Sequence, residues 1–233
     1  MLNIQLACVK FAARVRADGF LPAICLAARQ ALKTRAWTPF RSVGDEFDNR
    51  YGTDTGGVVN LWQYRIESPN AKYGVSYGSI SQQHIEVLLG ALPRHATFVD
   101  LGCGKGRPLL VAARMGFESL IGVEFVRELA EVAHDNLRKM GVQATVVRAD
   151  AAAYEFPAGP LLVYLYNPFT AAVMSHVADR LRRREGELWV VYVNPRHGSL
   201  FECWMERMPL TPLQAEVFSP WSVSMWHKGW PTQ

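Results

Sequence analysis

The chain has 233 residues, of which 49% are hydrophobic and 20% charged, so it can bury a substantial core and is not expected to be disordered. Its four cysteines show neither CxxC nor Cys/His spacing, which argues against a disulfide framework or a zinc site and favours a reducing, cytoplasmic compartment. Residues 156–178 carry no charge, but three prolines and Asn167 interrupt them, so we expect no transmembrane segment.

The N-terminal segment carries the basic character of the chain. The net charge is +4; residues 1–41 contribute +6, from seven basic residues against Asp18, and the remainder carries −2. Apolar residues at helical spacing predict helices at 3–16 and 21–36, and we treat residues 1–45 as a helical N-terminal extension. A basic surface for nucleic acid, an acidic protein or a membrane is one interpretation. We favour a helical cap with a solvated outer face, because no interleaved aromatic residues support nucleic acid.

Residues 46–95 are predicted to form a lid loop followed by a helix. The first part, residues 46–57, is dense in polar and glycine residues, which is typical of an ordinary surface loop or of a lid over the charged part of a ligand. We favour the lid. Its candidate ligand-binding residues are Tyr51, Thr53 and Thr55. The helix is expected to begin at Ser81, a typical N-cap, and to end at Pro93.

A glycine-rich turn follows at residues 102–106. A short β-prone run at 96–101 precedes it and apolar residues at helical spacing follow at 109–115, so the turn lies between a strand and a helix. Glycine lets the backbone turn sharply and lets a ligand approach closely, while the helix start offers free N–H groups. The Gly-x-Gly-x-Gly spacing differs from the Gly-x-Gly-x-x-Gly of dinucleotide sites. The candidate cofactor-binding residues in this turn are Gly102, Cys103, Gly104 and Gly106.

Three acidic residues are predicted at successive strand ends. Asp100 lies two residues before the first glycine of the turn. Glu124 ends the next predicted strand, which begins at Ser119, and Asp150 follows a third strand at 143–148. In an open parallel sheet these carboxylates would face one crevice, where Glu124 could accept both hydroxyls of a ribose. The residues that directly follow the second and third acids are further candidates for cofactor binding, namely Phe125 and Ala151.

A fourth apolar strand, at 161–166, runs into Asn167-Pro168-Phe169. The end of this strand would lie beside the ends of the first and third strands, which makes the turn a candidate catalytic site. The Asn167 oxygens can accept from a substrate amine, Pro168 fixes the turn, and Phe169 offers a flat wall for the acceptor. A turn that merely ends the strand is the alternative. Further along we expect a helix at 171–181, a fifth strand at 187–193, and a closing antiparallel hairpin with arms at 213–218 and 221–226.

The segment from Tyr51 to Pro195 resembles the class I S-adenosylmethionine-dependent methyltransferases in its glycine turn and acidic strand ends. By this resemblance, Asp100 and the glycine turn would hold the methionine part of S-adenosyl-L-methionine, Glu124 the ribose and Asp150 the adenine edge. The product would be S-adenosyl-L-homocysteine. A Rossmann-like domain that binds another nucleoside, or none, is the alternative.

Two motifs resemble those of the silencing-type histone lysine methyltransferases. The loop Tyr51-Gly-Thr-Asp-Thr55 is similar to their Tyr-Gly-Glu-Thr, with Thr-Asp-Thr in place of Glu-Thr. The motif Asn167-Pro168-Phe169 is similar to their Asn-Asn-Phe. It is also similar to the Asp/Asn-Pro-Pro-Tyr/Phe of amino-methylating DNA enzymes, without the second proline.

These features together predict an α/β, Rossmann-like fold with a seven-stranded, mostly parallel sheet, helices on both faces and a terminal antiparallel hairpin. Residues 96–233 would form the S-adenosylmethionine-binding domain. The expected function is methyl transfer to nitrogen, with a protein lysine as the leading acceptor. A methyltransferase for a small molecule or a nucleic-acid base remains open, as does a non-catalytic S-adenosylmethionine-binding module.

Overall fold

The computed structural model describes residues 46–59, 77–218 and 222–229, together with the single residues 12, 15 and 70. The predicted N-terminal extension therefore lies outside the described residues, except for Ala12 and Val15, which are both helical. None of the helices in the described ranges has the length and apolar character needed to cross a bilayer.

The described strands and helices alternate along most of the chain. The strands are β1 (Val58–Val59), β2 (Tyr77–Gly78), β3 (Thr97–Leu101), β4 (Leu120–Glu124), β5 (Thr145–Arg148), β6 (Leu161–Tyr166), β7 (Leu188–Val193), β8 (Glu206–Arg207) and β9 (Val223–Lys228). The helices are α1 (Glu46–Tyr51), α2 (Gln82–Leu89), α3 (Arg107–Arg114), α4 (Arg127–Lys139), α5 (Ala171–Arg183), α6 (Ser199–Glu202) and α7 (Pro212–Val217).

Seven of these strands form one sheet in the order β5-β4-β3-β6-β7-β9-β8. Strands β3 to β7 run parallel, whereas β9 pairs antiparallel with both β7 and β8. The strand order reverses between β3 and β6, and ligands of open α/β sheets bind at such a reversal, beyond the carboxyl ends of the strands. The predicted seven-stranded, mostly parallel sheet is confirmed, and its topology places a crevice beside the glycine turn.

Helices cover both faces of the sheet, as predicted. Strand β7 is buried at all six positions, which explains its continuous apolar sequence Leu-Trp-Val-Val-Tyr-Val. One core cluster joins β3 and β6 to α2, α3 and α4, and a second joins β6 and β7 to α5 and α6. The small sheet of β1 and β2 lies outside this arrangement and was not predicted.

Two sequence predictions of local structure were wrong. The first six residues of the predicted lid loop form α1. The predicted first arm of the terminal hairpin forms helix α7, and β9 pairs instead with the two-residue strand β8. The helix wins because Thr211 and Gln214 form a capping box: each side chain accepts from the backbone N–H of the other.

We predict that Thr211→Ala lowers the free energy of unfolding by about 1 kcal/mol, because the N–H of Gln214 loses its acceptor. Thr211→Ser keeps the hydroxyl and is the matched control. Urea denaturation of both variants checks this expectation. Equal losses in the two variants would show that the methyl group, not the cap, matters at this position.

Candidate active site

The glycine turn lies at the carboxyl end of β3 and leads directly into α3. Gly102, Gly104 and Gly106 all have positive φ, at 80°, 54° and 85°. A Cβ on Gly102 would lie 2.8 Å from the Cβ of Pro168, so this position also lacks space for a side chain. The turn therefore needs glycine for backbone conformation and, at Gly102, for its contact with the loop that follows β6.

Glu124 holds the glycine turn from the end of β4. Its carboxylate is buried; Oε2 accepts from the backbone N–H of Gly104 at 2.9 Å, and Oε1 accepts from that of Val126 at 2.9 Å. Burial raises the pKa of this carboxyl to about 7, although the backbone hydrogen bonds act in the opposite direction. Glu124 is thus structural support for the turn and a group that titrates near neutral pH.

Asp100 lies at the end of β3, immediately before the turn, and is only 2% exposed. Burial, and then the negative charge of Glu124, raise the pKa of the Asp100 carboxyl well above its usual value. Its Oδ2 atom is buried and has no hydrogen-bond partner among the described residues. A buried acceptor of this kind costs free energy unless a ligand supplies a donor.

Two adjoining cavities run along the carboxyl ends of the central strands. The larger is lined by Gly78, Ser79, Ile80, Asp100, Gly102, Cys103, Arg107, Pro108, Glu124, Phe125, Leu129, Tyr164, Tyr166, Pro168 and Phe169. The smaller is lined by Asn70, Gly102, Val123, Phe125, Ala149, Asp150, Ala151, Phe169 and Val173. They share Gly102, Phe125 and Phe169, so together they form one elongated cleft. The three predicted carboxylates all line this cleft, two in the larger cavity and one in the smaller.

Asp150 is the polar group that follows β5 in the smaller cavity. Its Oδ1 accepts from the backbone N–H of Ala152 at 2.9 Å, and its Oδ2 accepts from Nδ2 of Asn70 at 2.8 Å. Apolar side chains, including Val123 and Val173, form much of the remaining wall. An apolar slot with an acidic residue at its edge suits a flat heterocycle.

The turn after β6 places two of its three predicted residues in the cleft. Pro168 lines the larger cavity and Phe169 lines both. Asn167 lies between two lining residues but is not itself among those that line either cavity. It has φ of 40°, and its buried Oδ1 has no partner within the described ranges. A side-chain contact of Asn167 with a substrate therefore stays a prediction.

The three predicted lid residues lie outside the walls of both cavities. The hydroxyls of Thr53 and Thr55 donate to Oδ1 of Asp48, at 2.7 and 2.6 Å. Tyr51 packs against Phe47, with ring centroids 4.9 Å apart. The structure thus shows the contacts that order this segment, and the predicted contacts with a ligand stay predictions.

Sequence reasoning missed the buried ion pair that anchors this segment to the glycine turn. Arg107, 1% exposed, donates from Nε to the Thr55 hydroxyl at 2.7 Å and from Nη2 to Oδ2 of Asp48 at 3.3 Å. Burial raises the pKa of the Asp48 carboxyl, but the hydrogen bonds from Thr55 and Thr53 and the charge of Arg107 outweigh it, so the pKa lies below its usual value. In the sequence, the one feature that pointed to this ion pair was the position of Arg107 directly after the glycine turn.

Asn136 provides a second attachment between the same segment and the glycine turn. This buried side chain donates to the carbonyls of Asp54 and Lys105, at 2.9 and 3.0 Å, and accepts from the Asp54 N–H at 2.8 Å. Lys105 Nζ donates to Oδ1 of Asp54 at 2.7 Å. We call residues 53–57 the strap, because these contacts fasten it across the glycine turn.

We predict that Asp48→Asn lowers the free energy of unfolding by about 3 kcal/mol, because it leaves the buried charge of Arg107 without its anionic partner. Asp54→Asn is the control: the Asp54 side chain is 64% exposed, so loss of its ion pair with Lys105 should cost less than about 1 kcal/mol. Chemical denaturation checks both values. Similar losses in the two variants would contradict a special role for the buried pair.

Comparison with known proteins agrees with this geometry. Residues 98–184 match a family model described as a methyltransferase domain. A ribosomal protein L11 methyltransferase of Thermotoga neapolitana is 31% identical over 83 residues, which cover 36% of this chain and 31% of the relative. One from Photobacterium profundum is 32% identical over 76 residues, which cover 28% of this chain and 26% of the relative. The matched region thus spans about a third or less of these curated relatives.

Solved structures share the fold at low sequence identity. A protein of Clostridium difficile 630 has a TM-score of 0.52 at 13% identity, covering 67% of this chain and 54% of that protein. A Pyrococcus horikoshii OT3 protein has a TM-score of 0.50 at 14% identity, covering 62% of this chain and 87% of that protein. The [4+2]-cyclase SpnF has a TM-score of 0.50 at 14% identity, covering 64% of this chain and 81% of that protein. The fold alone therefore does not determine the reaction. Residues 98–184, which contain the glycine turn and all three acidic residues at the strand ends, are thus similar to a methyltransferase domain.

Proposed function

We propose that this protein transfers the methyl group of S-adenosyl-L-methionine to a nitrogen acceptor, and that the acceptor is a protein lysine. The observation that carries the proposal is the cleft itself. The carboxylates of Asp100, Glu124 and Asp150 lie along it at the ends of three neighbouring strands, beside a glycine turn that leaves room for close approach.

The residues of the cleft fit the donor from end to end. Asp100 offers a buried acceptor without a partner, which suits the ammonium of the methionine part. Glu124 can accept from ribose hydroxyls with the lone pairs that Gly104 and Val126 leave unused. The apolar slot beside Asp150 suits adenine. When bound, the donor supplies a methyl group activated by its positive sulfur.

Methyl transfer asks mainly for alignment of the acceptor. The lysine ammonium would first lose a proton to solvent. The freed nitrogen lone pair would then form the new N–C bond while the C–S bond breaks, so that the sulfur leaves neutral and the methylated nitrogen takes the positive charge. Pro168 and Phe169 provide the wall that holds the acceptor, and Asn167 would orient its N–H groups. Positioning of this kind can supply most of the rate enhancement because the leaving group is already activated.

Two observations support a protein lysine as the acceptor. By their names, the Thermotoga and Photobacterium relatives methylate a ribosomal protein. Beyond the acids, the larger cavity is walled mainly by apolar and aromatic groups such as Ile80, Tyr166 and Pro168, which suit the alkyl stem of a lysine.

The decisive test uses the purified full chain. Calorimetry should detect binding of S-adenosyl-L-homocysteine, and a labelled donor should transfer methyl groups to ribosomal proteins or lysine peptides rather than to nucleic acid or metabolite pools. Transfer to another pool would reassign the acceptor. Binding without any transfer would identify a non-catalytic module, and no binding would overturn the proposal.

We predict that the affinity for S-adenosyl-L-homocysteine falls about tenfold between pH 8 and pH 6, because Glu124, with its pKa about 7, must be ionised to accept from both ribose hydroxyls. The folded, unliganded protein thus binds a proton below pH 7 that the ligand must displace. Glu124→Gln should bind more weakly and without this slope. A slope that survives in Glu124→Gln would show that another group titrates and would contradict the expectation.

We predict that Asn167→Ala lowers the rate of methyl transfer at least tenfold at saturating donor, because the acceptor loses its orienting group. Asn194→Ala is the matched control, since Asn194 also precedes a proline, follows the next strand, and has positive φ of 52°. Both variants should lose about 1 kcal/mol of stability from the left-handed backbone. Equal effects on turnover would show that strain, not the Asn167 amide, is responsible.

A further inference from the structure

Tyr164 lies directly beside Asp100 in the sheet. The parallel register of β3 and β6 pairs these two residues, so their side chains leave the same face of the sheet. Tyr164 is 0% exposed and lines the larger cavity together with Asp100. Two polar side chains on neighbouring strands therefore line the same cavity side by side.

The hydroxyl of Tyr164 has no hydrogen-bond partner among the described residues, and neither does Oδ2 of Asp100. A buried hydroxyl without a partner destabilises the protein, and phenylalanine would fill the same space at no such cost. Burial raises the pKa of the Tyr164 phenol well above its usual value, and the charge of Asp100 raises it further, which is consistent with their closeness. The phenol thus stays neutral and can both accept and donate.

The charges around this pair select the ligand group. Asp100 and Glu124 are both acidic, so a carboxylate would be repelled from the floor of the cavity. Arg107 lines the same cavity, but its guanidinium is engaged by Asp48 and Thr55. A primary ammonium carries a positive charge and three N–H donors, which matches one carboxylate oxygen and one hydroxyl acceptor.

We infer that Tyr164 Oη and Asp100 Oδ2 jointly accept hydrogen bonds from the α-ammonium of the methyl donor. Tyr164 is then a binding residue that makes the site selective for ligands with an intact amino-acid end. This inference rests on the proposed donor, and it adds a residue from β6 to the acidic groups that line the donor cleft.

The test compares Tyr164→Phe with the wild-type chain by calorimetry on two ligands, S-adenosyl-L-homocysteine and its des-amino analogue, which lacks only the ammonium. We expect Tyr164→Phe to weaken binding of S-adenosyl-L-homocysteine about tenfold to a hundredfold and to leave binding of the analogue within about twofold. Tyr192→Phe is the control, because this buried tyrosine of β7 lines neither cavity. It should change neither affinity.

Thermal unfolding without ligand separates binding from structure. Tyr164→Phe should melt no lower than the wild type, since it removes a hydroxyl that lacks a protein partner. Equal affinities of Tyr164→Phe and wild type for S-adenosyl-L-homocysteine would overturn the inference and leave the proposed function standing. An equal loss of affinity for both ligands in Tyr164→Phe would also overturn the inference. Equal binding of both ligands by the wild-type chain would overturn it without any variant. A wild-type chain that binds neither ligand would overturn the proposed function itself.

Discussion

The site depends on the hydrogen bonds that join the glycine turn to the end of β4: the N–H groups of Gly102 and Cys103 donate to the Val123 carbonyl, and that of Gly104 donates to the buried carboxylate of Glu124. If the turn moved away from β4, the buried carboxylate of Glu124 would lose a donor. On the other side, Gly102 packs against Pro168, where a Cβ would not fit. The ends of three neighbouring strands are thereby fixed around one cleft.

This arrangement places two acidic side chains, Asp100 and Glu124, in a buried part of the site. Burial raises the pKa of both Asp100 and Glu124, so ionising either carboxyl costs free energy. A cation between them would lower that cost. The nearby guanidinium of Arg107 is neutralised by Asp48. Under the proposed function, the ammonium of the methyl donor would supply this positive charge.

The strap, which precedes the sheet in the chain, is also fixed to the glycine turn. Asn136 and Lys105 donate hydrogen bonds to its backbone carbonyls, and Arg107 donates one to the Thr55 hydroxyl. These residues belong to α4, the glycine turn and the start of α3. The contacts that order residues 53–57 therefore also hold the start of α3.

The sequence by itself determined the sheet, the glycine turn and the three acids, because buried parallel strands have continuous apolar runs and strand ends lie next to polar residues and glycine. It failed at α7, where the Thr211 and Gln214 cap outweighs a strand-like run. Only the tertiary structure decided the pairing of Asp48 with Arg107, 59 positions apart, and the alignment of Tyr164 beside Asp100 in neighbouring strands. Such contacts depend on strand register and chain crossing, which no local pattern of residues records.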